Sequence, residues 1–181
     1  MSKSEIRKKI LGIRKNYQIK NQKIDFQEIL NILKERNIKK KIVGGYYPYN
    51  YEIDSIHILD KFEKRKYRIS LPKIRKNSQM DFFQWSLNDP LIINKYGIPE
   101  PISKKTQYPD ILLVPLVAYD KDLNRLGYGG GFYDRYLERI EKNKKVIKIG
   151  CAFSFQKINK LPIENYDKKL DLIITEKKII I

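Results

Sequence analysis

Apolar residues recur at helical spacing at the head of the chain, where Ile6, Ile10, Ile13 and Tyr17 predict a helix over residues 3 to 17. At about 100° per residue, Lys3, Arg7 and Arg14 fall within roughly 40° of one another, so one helix edge reads as core and the next as basic. Phe26, Ile29, Leu30 and Leu33 predict a second helix, with Asp25 as its N-cap and Asn37 near its stop. The pattern then alternates. KIVGGYYP (41–48) reads as a strand, 53–62 as a helix with Ile56 and Leu59 inward, YRISLP as a strand, and MDFFQW is compatible with another. Residues 88 to 110 hold four prolines and read as an ordered loop without a domain boundary. Beyond them come a uniformly apolar strand, ILLVPLVAYD, a glycine-bearing turn, a helix from Tyr133 to about Lys142, the strand VIKIGCAF and a last strand, LDLIITE.

Strands that are apolar throughout imply burial on both faces, and helices alternating with them predict an α/β protein. The expected architecture is a single three-layer domain over residues 1–181, with a largely parallel central sheet flanked by helices. Ligands of such sheets gather at the carboxyl ends of the strands. A length of 181 residues suits one domain with a sizeable core. The lone Cys151 lies in an apolar run and reads as a buried, inert thiol of a reducing compartment. The uncharged stretch 111–119 is far short of the ~20 residues that span a bilayer, and MSKSEIRKK lacks the apolar core of a secretion signal. A soluble, cytoplasmic, monomeric protein with no membrane partner is expected.

Charge narrows the partners. Thirty-eight Lys and Arg against 21 Asp and Glu give a net charge of +17, which favours anions: nucleic acid, a membrane surface, or phosphorylated and carboxylated small molecules. The basic residues are scattered in short groups, Lys39-Lys40-Lys41, Lys64-Arg65-Lys66, Lys144-Lys145, Lys168-Lys169 and Lys177-Lys178, which also fits a lysine-rich solvated surface. Interleaved tyrosines keep a nucleic-acid-binding module open as the alternative to an enzyme.

The densest chemistry lies between Asp120 and Asp134, in DKDLNRLGYGGGFYD. Gly127, Gly129, Gly130 and Gly131 follow a buried strand and open a helix, a setting in which main-chain N–H groups and the helix dipole hold a phosphate. The turn is neither a Walker A loop nor a GxGxxG fingerprint, and spacing alone leaves a purely structural turn open. Arg125 at one end and Asp134 in the first helical turn suit a phosphate and its Mg²⁺, although a first-turn acid also compensates the helix dipole.

The run VPLVAYDKDLNRLGYGGGFYDRYL resembles the signature of the 5-formyltetrahydrofolate cyclo-ligases, also called methenyltetrahydrofolate synthetases. Lys3-x-x-x-Arg7, YYPYNYEID, the IPEP loop, Ala152-Phe153-x-x-Gln156 and LDLIITE occur in the family's order, so the resemblance covers essentially the whole chain. It implies the reaction 5-formyltetrahydrofolate + ATP → 5,10-methenyltetrahydrofolate + ADP + phosphate, with Mg²⁺ required and ATP as co-substrate. It implies a nucleotide site made of Lys3, Arg7, Arg125, Leu126, Gly127, Tyr128, Gly129, Gly130, Gly131, Phe132 and Tyr133. Arg125, Tyr133 and Asp134 would be catalytic, Asp134 and Asp171 would be the metal ligands, and Tyr47 and Glu52 would bind the folate.

A flat pterin needs an aromatic wall and a carboxylate for its N–H donors, which Tyr47 and Glu52 supply. Each has a plainer reading as well: tyrosine favours strands, Glu52 could open the following helix, and Asp171 could be a strand-edge acid. Where many members carry Lys, this chain has Gly130, one cation fewer at the phosphates. His57 reads as a surface residue without a catalytic part, and Trp85 receives no role. A sugar-phosphate or CoA-handling enzyme on the same fold is a further alternative.

Overall fold

The computed structural model describes residues 1–17, 24–38 and 42–181. Lys39-Lys40-Lys41, and with it the first residue of the KIVGGYYP strand, lie outside the described residues.

Helix α1 (Lys3–Asn16) begins in a capping box, the Ser2 hydroxyl accepting from the Glu5 N–H while the Glu5 carboxylate accepts from Ser2 N–H at 2.6 Å. Ile6 and Ile10 are buried as expected. Ile13 is 41% exposed and Arg14 only 1%, so the far end of the basic edge, not the apolar one, turns inward. The guanidinium is accommodated because it meets acceptors there, the Leu116 carbonyl at 2.6 Å and the Tyr128 hydroxyl at 2.8 Å.

Helix α2 (Phe26–Glu35) is capped by Asp25, whose carboxylate accepts from Gln27 N–H at 2.8 Å, and it ends before Asn37 at φ 52°. Strand β1 (Ile42–Gly44) is followed by α3 (Ser55–Lys64), which buries Ile58, Leu59 and Phe62 with Ile56 at its margin. Then come β2 (Arg68–Ile74) and β3 (Met80–Trp85). The proline-bearing stretch is less of a loop than its composition implies: it forms the β4 (Leu91–Ile93) and β5 (Pro99–Pro101) hairpin and the short β6 (Thr106–Gln107).

The apolar run ILLVPLVAYD is not one strand. Strand β7 (Ile111–Pro115) ends at a residue without an N–H, after which Val117 N–H bonds the Leu126 carbonyl at 2.7 Å. The chain leaves the sheet there and forms a hairpin of β8 (Ala118–Tyr119) and β9 (Arg125–Leu126). Helix α4 (Phe132–Glu141), β10 (Ile147–Cys151), β11 (Leu172–Ile174) and β12 (Ile179–Ile180) complete the chain.

The eight-stranded sheet runs β12-β11-β10-β7-β1-β2-β3-β6, with β11, β10, β7, β1 and β2 mutually parallel and β12, β3 and β6 antiparallel. Alternate residues of β7 face opposite layers. Ile111 and Leu113 pack with α2 and α3, whereas Leu112 and Val114 pack with Tyr136, Leu137 and Ile140 of α4. This is the three-layer α/β arrangement the pattern predicts. Helix α1 lies apart, its Ile6 and Ile10 against Val117, Ala118, Leu126 and Leu161. From β1 the strands advance one way to β2 and the other way through β7, which makes the gap beyond the carboxyl ends of β1 and β7 the point where winding reverses. Gly44 closes β1 with no room to spare: a Cβ there would lie 2.7 Å from Pro109 Cγ and 2.8 Å from Leu112 Cδ1.

Candidate active site

A cavity of about 640 Å³ opens at this reversal point, within the ~300–1,000 Å³ range of small-molecule sites. Its floor is Tyr46 and Tyr47 beyond β1 and Pro115 at the end of β7; the β8–β9 hairpin and the glycine loop form one wall, and the β4–β5 hairpin the other.

The loop is built by a buried turn. Asp120, fully inaccessible, accepts from the N–H groups of Asp122, Asn124 and Leu161 and from the Asn124 amide, which fixes the hairpin that delivers Arg125. Gly129 at φ 102° and Gly131 at φ 64° adopt left-handed backbone, and Gly131 is the N-cap of α4. With no side chain capping that helix, its first-turn N–H groups are available to a ligand.

Cations surround the loop. Arg7 Nε donates to the Gly127 carbonyl at 2.7 Å, and its guanidinium lies 3.4 Å from where a Gly129 Cβ would be. Arg125 donates to the Lys168 carbonyl and, at 2.7 Å, to Asp134 Oδ1, which also accepts from Lys168 N–H. Arg135 donates to the Gly130 carbonyl at 2.6 Å, so a guanidinium from one turn into the helix stands beside the position that lacks a loop lysine. Lys3 pairs with Asp167 at 2.7 Å and with Glu164 at 3.4 Å.

On the opposite side, Asn50 and Tyr51 both take positive φ, a turn closed by Glu52 N–H donating to the Tyr49 carbonyl. It aims Glu52 into the cavity, where its carboxylate accepts from Tyr49 N–H at 2.9 Å. Burial pushes the Glu52 carboxyl up to about 7, against the opposing pull of the Tyr49 N–H, the Arg14 charge and the Tyr128 hydroxyl. Burial likewise pushes the Tyr46, Tyr128 and Tyr133 phenols up, so all three remain protonated donors at neutral pH. Tyr49 and Tyr128 meet edge to face across the cavity, centroids 6.0 Å apart.

Every site residue expected from the sequence lines this cavity except one: Lys3, Arg7, the loop from Arg125 to Tyr133, Asp134, Tyr47 and Glu52 are all present. Asp171 stands apart. It lies at the amino ends of β10 and β11, where its carboxylate accepts from Lys148 N–H at 2.7 Å and sits 3.8 Å from the Lys148 ammonium. Its local role is that of a strand-edge acid. Among the described residues no group of three or more His, Cys, Asp or Glu is placed to hold a metal. Sequence reading missed Glu164, Tyr166 and Asp167, whose signal exists only as partners of Lys3, and Asn94, Tyr96 and Glu100 in the stretch read as loop.

The model of the 5-formyltetrahydrofolate cyclo-ligase family matches residues 1–176. A 5-formyltetrahydrofolate cyclo-ligase of Haemophilus influenzae is 32% identical over 184 residues, covering 95% of this chain and 97% of the relative. Among solved structures, the 5,10-methenyltetrahydrofolate synthetase of Aquifex aeolicus aligns with a TM-score of 0.77 at 31% identity, over 99% of this chain and 92% of that one. That of Mycoplasma pneumoniae aligns with a TM-score of 0.74 at 29% identity, over 97% and 99%.

Proposed function

The chain belongs to the 5-formyltetrahydrofolate cyclo-ligase family, and on that footing we propose that it converts 5-formyltetrahydrofolate and ATP to 5,10-methenyltetrahydrofolate, ADP and phosphate. The observation that carries this reading is one cavity in which an uncapped, glycine-rich helix start stands opposite the carboxyl of Glu52, with a tyrosine floor between them.

In this reading the ATP phosphates lie on the N–H groups of the loop and of the first turn of α4, with Arg7 beside Gly129 and Lys3 at the rim. Lys3 exchanges its pairing with Asp167 and Glu164 for phosphate oxygens. The pterin lies over Tyr46 and Tyr47, its N–H donors on the Glu52 carboxylate. The formyl oxygen attacks the γ-phosphorus and ADP leaves; N10 then attacks the activated formyl carbon, and the phosphate departs with the C–O bond as the ring closes, N10 giving up its proton. Tyr133, held protonated by burial, donates toward the oxygen on which charge develops. Arg125 fixes the rotamer of Asp134 through Oδ1, and Asp134 lines the cavity with Oδ2 outside its hydrogen bonds to Arg125 and Lys168. One hard carboxylate oxygen with phosphates and water fits Mg²⁺, which would neutralise phosphate charge; Asp134 Oδ2 is the protein oxygen that would hold it. For the phosphoryl step the protein otherwise contributes position and charge.

The test is the absorbance rise of the methenyl product when protein meets 5-formyltetrahydrofolate with and without Mg·ATP. A rise dependent on both is expected, with Asp134→Asn lowering kcat/KM for Mg·ATP by roughly 10-fold or more while the protein stays folded. No rise from folded protein would discard the folate reading.

A further inference from the structure

Arg14 is the most deeply buried basic side chain of the described residues, at 1% exposure, and the sequence pattern assigns it no part in the site. A buried guanidinium is costly unless every donor is used or the charge faces an opposite one. Here Nη2 donates to the Leu116 carbonyl at 2.6 Å and Nη1 to the Tyr128 hydroxyl at 2.8 Å, while Nε has no partner among the described residues. Neutral acceptors alone leave the charge uncompensated. The compensation lies one step on: the Tyr128 hydroxyl that accepts from Arg14 lines the same cavity as the Glu52 carboxylate, close enough for each to act on the other's charge.

The titratable and charged groups whose charges bear on Glu52 from the surrounding elements are Arg14 of α1, Tyr128 of the glycine loop, Tyr133 of α4, Tyr46 beyond β1 and Cys151 of β10. The phenols and the thiol are pushed up by burial and stay neutral. Arg14 is the cation of the set.

Resting on the folate reading above, we propose that Arg14 is a positioning residue that acts through the Tyr128 hydroxyl to hold Glu52 as an oriented carboxylate for the pterin N–H donors. A protonated Glu52 would present its own O–H to those donors and lose one of two accepting oxygens, so the ion on α1 sets folate affinity without touching the folate. Because Tyr128 is part of the loop that receives the nucleotide, the same contact ties the two halves of the cavity together.

The experiment is calorimetric titration of the full chain with 5-formyltetrahydrofolate, without nucleotide, from pH 5.5 to 8.5. Wild-type binding is expected to tighten as pH rises through about 7, where Glu52 ionises. Arg14→Met is expected to bind about 10-fold more weakly at pH 7 and to move the midpoint up by about one pH unit or more, the size expected on losing a nearby opposite charge. Arg14→Lys, which keeps the charge, is expected to restore the midpoint. In a Glu52→Gln background Arg14→Met adds nothing further, and in turnover assays its effect falls on KM for the folate far more than on kcat. Should Arg14→Met fail to fold, Tyr128→Phe serves in its place, weakening binding about threefold when Glu52 is present and not at all in the Glu52→Gln background. Equal effects of either variant in both backgrounds, or an unmoved midpoint, would overturn the inference while leaving the folate reading intact. Absence of folate binding by the wild type at every pH would instead remove that reading and this inference with it.

Discussion

At Glu52 the folate binding proposed above and the stability of the fold make opposite demands. An ordinary glutamate titrates near 4.5, and burial raises this one to about 7. Below pH 4.5 the carboxyl is protonated in both folded and unfolded chains and contributes nothing. Between 4.5 and 7 the unfolded chain ionises while the folded chain still holds its proton, so stability falls as pH rises, and above 7 the full cost is present. Glu52→Gln is therefore expected to raise Tm at pH 8 by about 3 °C or more and to leave it unchanged at pH 4, as read by circular dichroism melting. A gain of equal size at both values would show that desolvation of the ion is not its source. At this same scale the sequence misleads at two positions. Ile13 and Arg14 follow each other on the apolar and the basic edge of α1, and hydropathy alone favours burying the isoleucine; acceptors more than 100 positions away at Leu116 and Tyr128 decide otherwise. Asp171 matches a motif, but the strand order puts it at the amino ends of β10 and β11, beside Lys148 and outside the cavity that Asp134 lines.

Among the elements, the β8–β9 hairpin governs the site although it contributes few cavity atoms. Asp120 satisfies three main-chain N–H groups and one amide with no access to water. Asp120→Ala would strand those donors in the interior, and a loss of about 3 kcal/mol in urea unfolding is expected, together with weakened nucleotide binding as the loop loses its anchor. A loss under about 1 kcal/mol would mean that water replaces the carboxylate. This hairpin was hidden in the sequence because an apolar run that bends inside a core looks the same as one that continues straight. The β4–β5 hairpin was hidden for the opposite reason: prolines argue against central strands but are tolerated at an edge, as at Pro99 and Pro101. The helices were legible in position, and so was the Asp25 cap of α2; the caps Ser2 of α1 and Asp54 of α3 appear only in the structure.

For the molecule as a whole, the α/β class and the place of the ligand cavity followed from apolar strands alternating with amphipathic helices, since such a sheet has one winding reversal and the cavity lies there. The net charge of +17 acts at this scale too. If the proposed reaction holds, ATP and the carboxylate-bearing folate would both approach through a positive field, and raising ionic strength from about 0.05 to 0.3 M is expected to increase KM for each about threefold or more with little change in kcat. Salt-independent KM values would show that the surplus is spread too evenly to guide anything inward.

Helix α1 carries Lys3, Arg7 and Arg14 to partners at Asp167, Gly127 and Leu116. Its capping box allows it to coil early, yet its contacts have some of the largest sequence separations in the chain, and closing them costs loop entropy before it rewards packing. The pairings of Arg7 with Gly127 and of Lys3 with Asp167 span 120 and 164 positions, so docking of α1 draws together distant parts of the described fold at an entropic cost that its own packing must offset.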